Sequence, residues 1–129
     1  MGFVGAALDL LERRMRGGYY RPMYIHRLRV GVDQQGSPVA WQQVIAGQSI
    51  VAGTPFEAML VKNGIDGTSV EGAADSPYLT AIPNHRVGLH SPGSPVPVLW
   101  WRSVGGTHTA FAIECMARPT RALKGDRSK

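Results

Sequence analysis

The feature that most constrains this chain is an alternation of side-chain type along residues 24–32, which a loop joins to a second strand-like segment, residues 39–46. In the first segment every second residue suits a buried face, a period of two that is typical of a half-exposed strand. Those residues are Tyr24, His26, Leu28, Val30 and Val32. Between the segments, Asp33–Pro38 has the composition of a hairpin loop. The sequence therefore predicts an antiparallel hairpin from Tyr24 to Ala46, with Trp41 packing across it.

Other elements are predicted from shorter signals. Thr54, Pro55 and Glu57 form a capping-box pattern that predicts a helix with an apolar face, ended by Asn63–Gly64. A second helix is predicted from Thr107 or Thr109 to about Met116, because Pro119 is expected to stop it. The apolar face of the first helix consists of Phe56, Met59, Leu60 and Val61.

The remaining predictions are an N-terminal amphipathic helix, three short strands and a loop. The helix covers residues 3–15. The strands cover residues 78–82, 86–90 and 96–101, and the loop covers residues 67–77. Together with the hairpin they give an α+β fold of short antiparallel strands with two or three helices. Pro97 makes the last strand an edge or an irregular one.

Composition limits the classes of function. The chain has 129 residues with 43% hydrophobic and 18% charged residues, which suits one domain with a real core. Its net charge of +5 lies mostly in residues 118–129, with five basic residues and one acid, a segment predicted to be disordered. The body is therefore close to neutral, which argues against a nucleic-acid-binding domain. The apolar start of the chain is too short to span a membrane, and it lacks the order of a secretory signal.

Few residues match a known catalytic or metal-binding pattern. The lone Cys115 excludes an internal disulfide and a cysteine-based zinc or iron–sulfur site, and its place beside Ile113 predicts a buried thiol. No Walker loop, GxSxG or HExxH motif occurs. The histidines His26, His85, His90 and His108 lack helical metal spacing, so no metal ligands are predicted. Glu57, Glu71 and Glu114 are not paired with a plausible nucleophile.

The stretch Trp100–Phe111 carries the main functional signal. Large rings, a turn of small residues and then an apolar helical pattern indicate a strand–turn–helix unit whose helix amides suit an anion. An ordinary tight turn explains the same residues equally well. Arg102 is placed either to donate to a phosphate or oxo group, or to stack on a tryptophan face.

The same stretch resembles the molybdopterin-binding large subunit of the xanthine dehydrogenase and aldehyde oxidase family, in its isoquinoline 1-oxidoreductase beta subunit branch. The supporting segments occur in the family's order. They are Arg16–Pro22, Gly47–Ile50 with Thr54–Glu57, and Asp75–Tyr78. The resemblance runs from Arg16 to about Glu114. Those subunits are several times longer, so the chain is interpreted as an interior fragment.

The resemblance implies a site for a molybdopterin-type molybdenum cofactor. Trp101, Arg102, Ser103, Val104 and Gly105 match the turn whose main chain approaches that cofactor. Gly105 is expected to allow close approach or a positive φ. Two positions depart from the family: Ser103 replaces a common glycine, and the next residue after Gly105 is glycine where close relatives carry histidine.

The resemblance also implies what lies outside the chain. The parent enzyme oxidises aldehydes or N-heterocycles, with electrons leaving through a small [2Fe–2S] subunit. Its catalytic glutamate and its glycine-rich loop have no match here, so no catalytic residue is assigned and the isolated chain is expected to be inactive. Residues 1–15 are interpreted as foreign to the family, 16–117 as part of a molybdopterin-binding domain, and 118–129 as a basic tail.

Two functions therefore remain open. One is a fragment of a molybdenum-dependent oxidoreductase that supplies part of the cofactor pocket, with the rest of the large subunit, the [2Fe–2S] subunit and a small-molecule substrate as partners. The other is a non-catalytic truncated remnant or interaction module. Neither nucleic acid nor a membrane is expected as a partner. The resemblance leaves the compartment open between periplasm and cytoplasm.

Overall fold

A three-stranded sheet forms the centre of the computed structural model, which describes residues 18–123, with side chains to residue 118. Strands β1 (Tyr24–Val32) and β2 (Pro38–Gly47) are antiparallel, with Tyr24 opposite Gly47 and Val30 opposite Trp41. Strand β5 (Asn84–His90) pairs with β2 in parallel, so β2 is central. The predicted hairpin is confirmed, and so is the α+β class. The parallel pair was not expected, since it needs a long crossover that local patterns do not show.

The crossover between β2 and β5 holds several short elements. Helix α1 (Glu57–Leu60) leads into the hairpin β3 (Val61–Lys62) and β4 (Ile65–Asp66). Helices α2 (Gly67–Val70) and α3 (Pro77–Thr80) follow. After β5 an extended stretch leads to α4 (Gly106–Leu123), the longest helix among the described residues.

The crossover corrects three sequence predictions. Asn63 and Gly64 both have positive φ and join β3 to β4, so they form a two-residue hairpin turn and not a helix end. The predicted loop 67–77 contains α2, which Asp66 caps by accepting from the Thr68 amide. The predicted strand 78–82 is wrong, because a proline at the first helical position favours the helix α3.

Two further predictions fail in the C-terminal half. Residues 96–101 form no strand, and a single parallel bridge joins Val98 to Tyr20. Pro97 has no N–H to extend that ladder. The last helix begins at Gly106 and passes through Pro119, because a proline removes one hydrogen bond without always ending a helix. Residues 118–123, predicted as part of a disordered tail, belong to this helix, so that prediction is wrong for them. The predicted helix 3–15 and residues 124–129 lie outside the described residues.

The core lies between one face of the sheet, α4 and the 73–82 segment. Its fully or nearly buried members are Trp41, Ile45, Ala73, Leu79, Ile82 and Ile113. They bring together side chains from β2, the crossover and α4, so burial of apolar surface joins the distant parts of the chain. In the described range no helix has the length and apolarity to cross a bilayer.

Candidate functional site

The turn Arg102–Gly105 joins the extended stretch to α4, and it is strained. The Val104 amide donates to the Trp101 carbonyl at 2.9 Å. Ser103 has φ of 67° and Val104 of 35°, both in the left-handed region. A β-branched residue rarely adopts that conformation, and such strain concentrates at functional sites. The backbone at this turn therefore merits a functional interpretation.

The positive φ expected at Gly105 is not observed. The α-carbon of Gly105 lies against the backbone of Thr68, whose carbonyl oxygen a Cβ at this position would overlap. Gly105 is buried. The glycine is therefore required by packing of the turn on α2, and the positive φ values occur at the two preceding residues.

Arg21 holds the turn in place. Its Nη1 donates to Thr107 Oγ1 at 3.0 Å, and its Nη2 donates to the Arg102 carbonyl at 3.1 Å. These hydrogen bonds join residues more than 80 positions apart, so no local pattern could have indicated them. Arg21 itself belongs to the segment Arg16–Pro22 that supports the family resemblance.

The two most prominent side chains of the turn face solvent. Trp101 is 53% exposed, and Arg102 is exposed as well. Within residues 18–118, no ring contact joins Arg102 to a tryptophan, so the stacked alternative is not seen. Trp100 instead packs edge-on against Phe56, with ring centroids 5.6 Å apart.

Beside the turn lies a cleft of about 30 Å³. Arg21, Pro22 and Ile50 line it, together with seven residues in and beside the turn, whereas Arg102 and Ser103 do not. The seven are Leu99, Trp100, Trp101, Val104, Gly105, Thr107 and His108. Three of the segments that support the resemblance therefore meet at one place. The fourth, Asp75–Tyr78, does not contribute to the lining; it forms the start of α3.

An apolar groove of about 300 Å³ adjoins the cleft. Thr68, Ile50, Trp100 and Val104 line both, so the two form one continuous depression. The far end of the groove is built by the apolar face of α1, which buries no residue, and Met59 there is 61% exposed. The depression thus has a polar end at Arg21 and an apolar end at α1.

A chain of side-chain hydrogen bonds leads from the core to the cleft. Trp41 Nε1 donates to Gln43 Oε1 at 3.1 Å, and Gln43 Nε2 lies 3.1 Å from His26 Nδ1. His26 Nε2 lies 2.9 Å from His108 Nδ1. Gln43 is fully buried, so its amide is held in one orientation. The pairing of His26 with His108 across 82 positions was not visible in the sequence.

The Trp41 donor at the start of this series of hydrogen bonds determines which ring nitrogen carries the proton in His26 and in His108. An indole N–H only donates, so Gln43 uses its oxygen for Trp41 and its NH₂ for His26 Nδ1. His26 then carries its proton on Nε2 and donates it to His108 Nδ1. The proton of neutral His108 is therefore on Nε2, a buried atom with no hydrogen-bond partner among the described residues.

Both histidines are kept neutral at pH 7. Burial, then the neighbouring His26 and the Arg21 charge, lower the pKa of His108 to about 4. Burial also lowers the pKa of His26. Tyr24 stacks on His108 with ring centroids 3.6 Å apart, and burial raises the pKa of its phenol. The stacked pair closes one side of the cleft with uncharged rings.

A buried carboxylate supports the other side. Asp66 is 2% exposed and accepts four hydrogen bonds, from Ser49 Oγ, Ser69 Oγ and both the amide and hydroxyl of Thr68. Ser69 Oγ in turn lies 2.9 Å from the Tyr24 hydroxyl. Asp66 is thus fully engaged in joining β4, α2 and the loop after β2, and its role is structural.

The remaining candidates for chemistry lie elsewhere. No group of three metal-ligating side chains occurs in the described range. Glu57 Oε2 accepts from the Gly53 amide at the start of α1, and neither Glu71 nor Glu114 lines the cleft. The helix begins at Glu57, after Phe56, and no side chain caps it, so the prediction that Thr54 caps a helix starting at Pro55 is wrong. Cys115 is exposed, so the prediction of a buried thiol is wrong: it lies on the solvent side of α4, beside the buried Ile113.

Comparisons of the whole chain with protein-family models, with curated proteins and with solved structures give no match.

Proposed function

We propose that the chain is a fragment of a molybdenum-cofactor-dependent oxidoreductase and supplies one wall of the cofactor pocket. The observation that carries the proposal is that one cleft is lined by Arg21 and Pro22, by Ile50, and by Trp101, Val104 and Gly105, residues from three of the segments that carry the resemblance. Segments that do not share a site would not be expected to line the same cleft. These segments do so beside a strained turn, and Arg21 donates a hydrogen bond to that turn.

The donors at this place fit an anionic, oxygen-bearing group. The first amides of α4 have no intrahelical acceptor and follow the turn directly, and the Arg102 guanidinium is exposed beside them. These groups would hold one edge of the cofactor, which in the parent enzymes supplies the oxidation of an aldehyde or N-heterocycle. A cleft of about 30 Å³ is too small to enclose such a group, so other segments must complete the pocket.

Glu57, Glu71 and Glu114 all lie outside the cleft lining, so none of them is placed as a general base there. Loss of a general base alone costs about a hundredfold or more in rate. The alternative of a non-catalytic interaction module is favoured by one observation, the exposed apolar side chains at Phe56, Met59 and Trp101.

A graft tests the proposal directly. Residues 16–117 would replace the matching segment of a full-length member of the family, and molybdenum per subunit and dye reduction with an aromatic aldehyde would be measured. We expect the graft to retain molybdenum and activity. A Gly105→Val change in the graft should abolish both, whereas Gly93→Val, at an exposed glycine with open space around it, should not.

Two outcomes would contradict the proposal. One is a folded graft without molybdenum. The other is normal molybdenum content and activity in a graft that carries both Arg102→Ala and Gly105→Val, because the turn would then have no part in the site.

A further inference from the structure

We propose that the continuous depression formed by the cleft and the apolar groove binds an aromatic monocarboxylate, with the carboxylate between Arg21 and His108 and the ring against α1. The inference stands without the proposed function, because the donors and the groove carry it and its probe contains no metal. Were the proposed function correct, such an acid would also be the product of oxidising an aromatic aldehyde.

The first argument is the unused donor on His108. Its Nε2–H is buried and has no partner within residues 18–118, although it ends a series of hydrogen bonds that starts at Trp41. Buried donors are nearly always satisfied, so an orphan of this kind indicates a missing acceptor. His26 occupies the other ring nitrogen, and the ring lines the cleft that also contains Arg21.

The second argument is charge. Arg21 uses two of its donors on the turn and retains others, since a guanidinium has five N–H groups. A carboxylate is the small anion whose two oxygens match such a group. Neutral His108 then adds a donor without adding charge, and none of the described carboxylate side chains lines the cleft to compete.

The third argument is the apolar end. About 300 Å³ lined by Ile50, Val51, Phe56, Met59, Leu60 and Trp100 adjoins the polar end, within the size range of small-molecule pockets. Aromatic rings at Phe56 and Trp100 suit a flat ring ligand. Inorganic phosphate or acetate would leave this surface uncovered, so the two ends together specify an amphipathic acid.

Entry requires a local movement. The His108 Nε2 atom is closed off from solvent, so a carboxylate oxygen reaches it only when a bounding side chain moves. Arg21, Trp100 and Trp101 bound the cleft and are exposed, which leaves them room to do so. Binding should therefore order these side chains.

The test is a titration of the ¹⁵N-labelled 129-residue chain, with the histidine rings observed by long-range ¹H–¹⁵N correlation. In the free chain at pH 7, His26 and His108 should both be Nε2–H tautomers. Benzoate should shift His108 Nε2 saturably and bind about tenfold or more tighter than acetate or inorganic phosphate. Benzyl alcohol, which lacks the charge, should bind weakly.

Matched variants separate the two ends. Arg21→Ala should weaken benzoate binding about tenfold or more, while Arg86→Ala, at an exposed arginine of β5 outside the cleft, should leave it unchanged. Met59→Ser should weaken benzoate severalfold and leave acetate unchanged. Because Met59 is exposed, this variant should fold normally even if changes at His108 do not.

Three results would overturn the inference. They are the Nδ1–H tautomer of His108, equal or tighter binding of phosphate than of benzoate, and self-association through α1 that benzoate does not reverse. A graft that fails to hold molybdenum while the chain still binds benzoate would refute only the proposed function.

Discussion

The core under the sheet and the surface around the turn differ in how complete they are. Under the sheet, Ile45 and Leu79 are fully buried and β2 is paired on both sides. Around the turn, Met59 is 61% and Trp101 53% exposed, while α1 buries no residue. The apolar side chains of the core are therefore buried by other parts of the same chain. The turn surface instead exposes apolar groups and hydrogen-bond donors that are available to bind another molecule.

The largest difference between the two regions should appear in truncations to alanine. Leu79→Ala removes a fully buried side chain and should lower the free energy of unfolding by about 3 kcal/mol. Met59→Ala should change it by less than about 0.5 kcal/mol, because the side chain is already mostly in water. Urea denaturation followed by tryptophan fluorescence measures both. Equal losses would mean that the turn surface is packed in solution.

Gly105 and Gly106, where the turn surface meets α4, allow a second comparison of a packed position with an open one. Gly105→Ala should cost about 2 to 3 kcal/mol, because the added methyl group overlaps the Thr68 carbonyl oxygen. Gly106→Ala meets no atom within 4 Å and begins α4, so it should be neutral or stabilising by up to about 1 kcal/mol. Thermal unfolding of the two variants gives the answer. The reverse order would show that the turn does not pack on α2.

The smallest expected effect is the pH dependence that the histidine pair confers. His108 has a pKa lowered to about 4, below its value in an unfolded chain, so the unfolded state takes up protons first as the pH falls. Stability should be complete above about pH 6.5 and decrease towards pH 4, by on the order of 1 kcal/mol given the half-exposed ring. His26, whose pKa is lowered too, acts in the same direction.

Urea midpoints between pH 7.5 and 4.5 measure this slope. His108→Gln should flatten it, while His90→Gln, at the exposed end of β5, should retain it. Equal slopes in all three proteins would show that the pair is not held neutral.

The two regions also differ in how far the sequence predicts them. The hairpin was predictable because β1 alternates between half-buried and exposed residues from Tyr24 to Val30, and this pattern is local. The bulge between Gly31 and Val32 ends the alternation, so the prediction that Val32 faces the core is wrong. Helix α4 was predicted too short, since Pro119 was given more weight than the apolar face around Ile113. The Asn63–Gly64 turn carried a strong hairpin signal that was interpreted as a helix end.

The candidate site was only partly predictable. The turn at Arg102 was located from its neighbours Trp101 and Gly105, but its supports were not. Arg21 and His26 act across more than 80 positions, and contacts of that kind leave no periodicity in a single sequence. The positive φ at Val104 was equally invisible, because a β-branched residue gives no local signal for a left-handed turn.

The most direct test of the account is the molybdenum-to-protein ratio of the isolated 129-residue chain, purified from a host that makes the cofactor. It would be measured beside the graft of residues 16–117 into a full-length molybdopterin-binding subunit of the family that the sequence resembles. A chain with one wall of a divided pocket should contain almost no molybdenum and show no aldehyde oxidation, while the graft retains the metal. Near-stoichiometric molybdenum with turnover in the isolated chain would contradict the account, as would a folded graft that contains none.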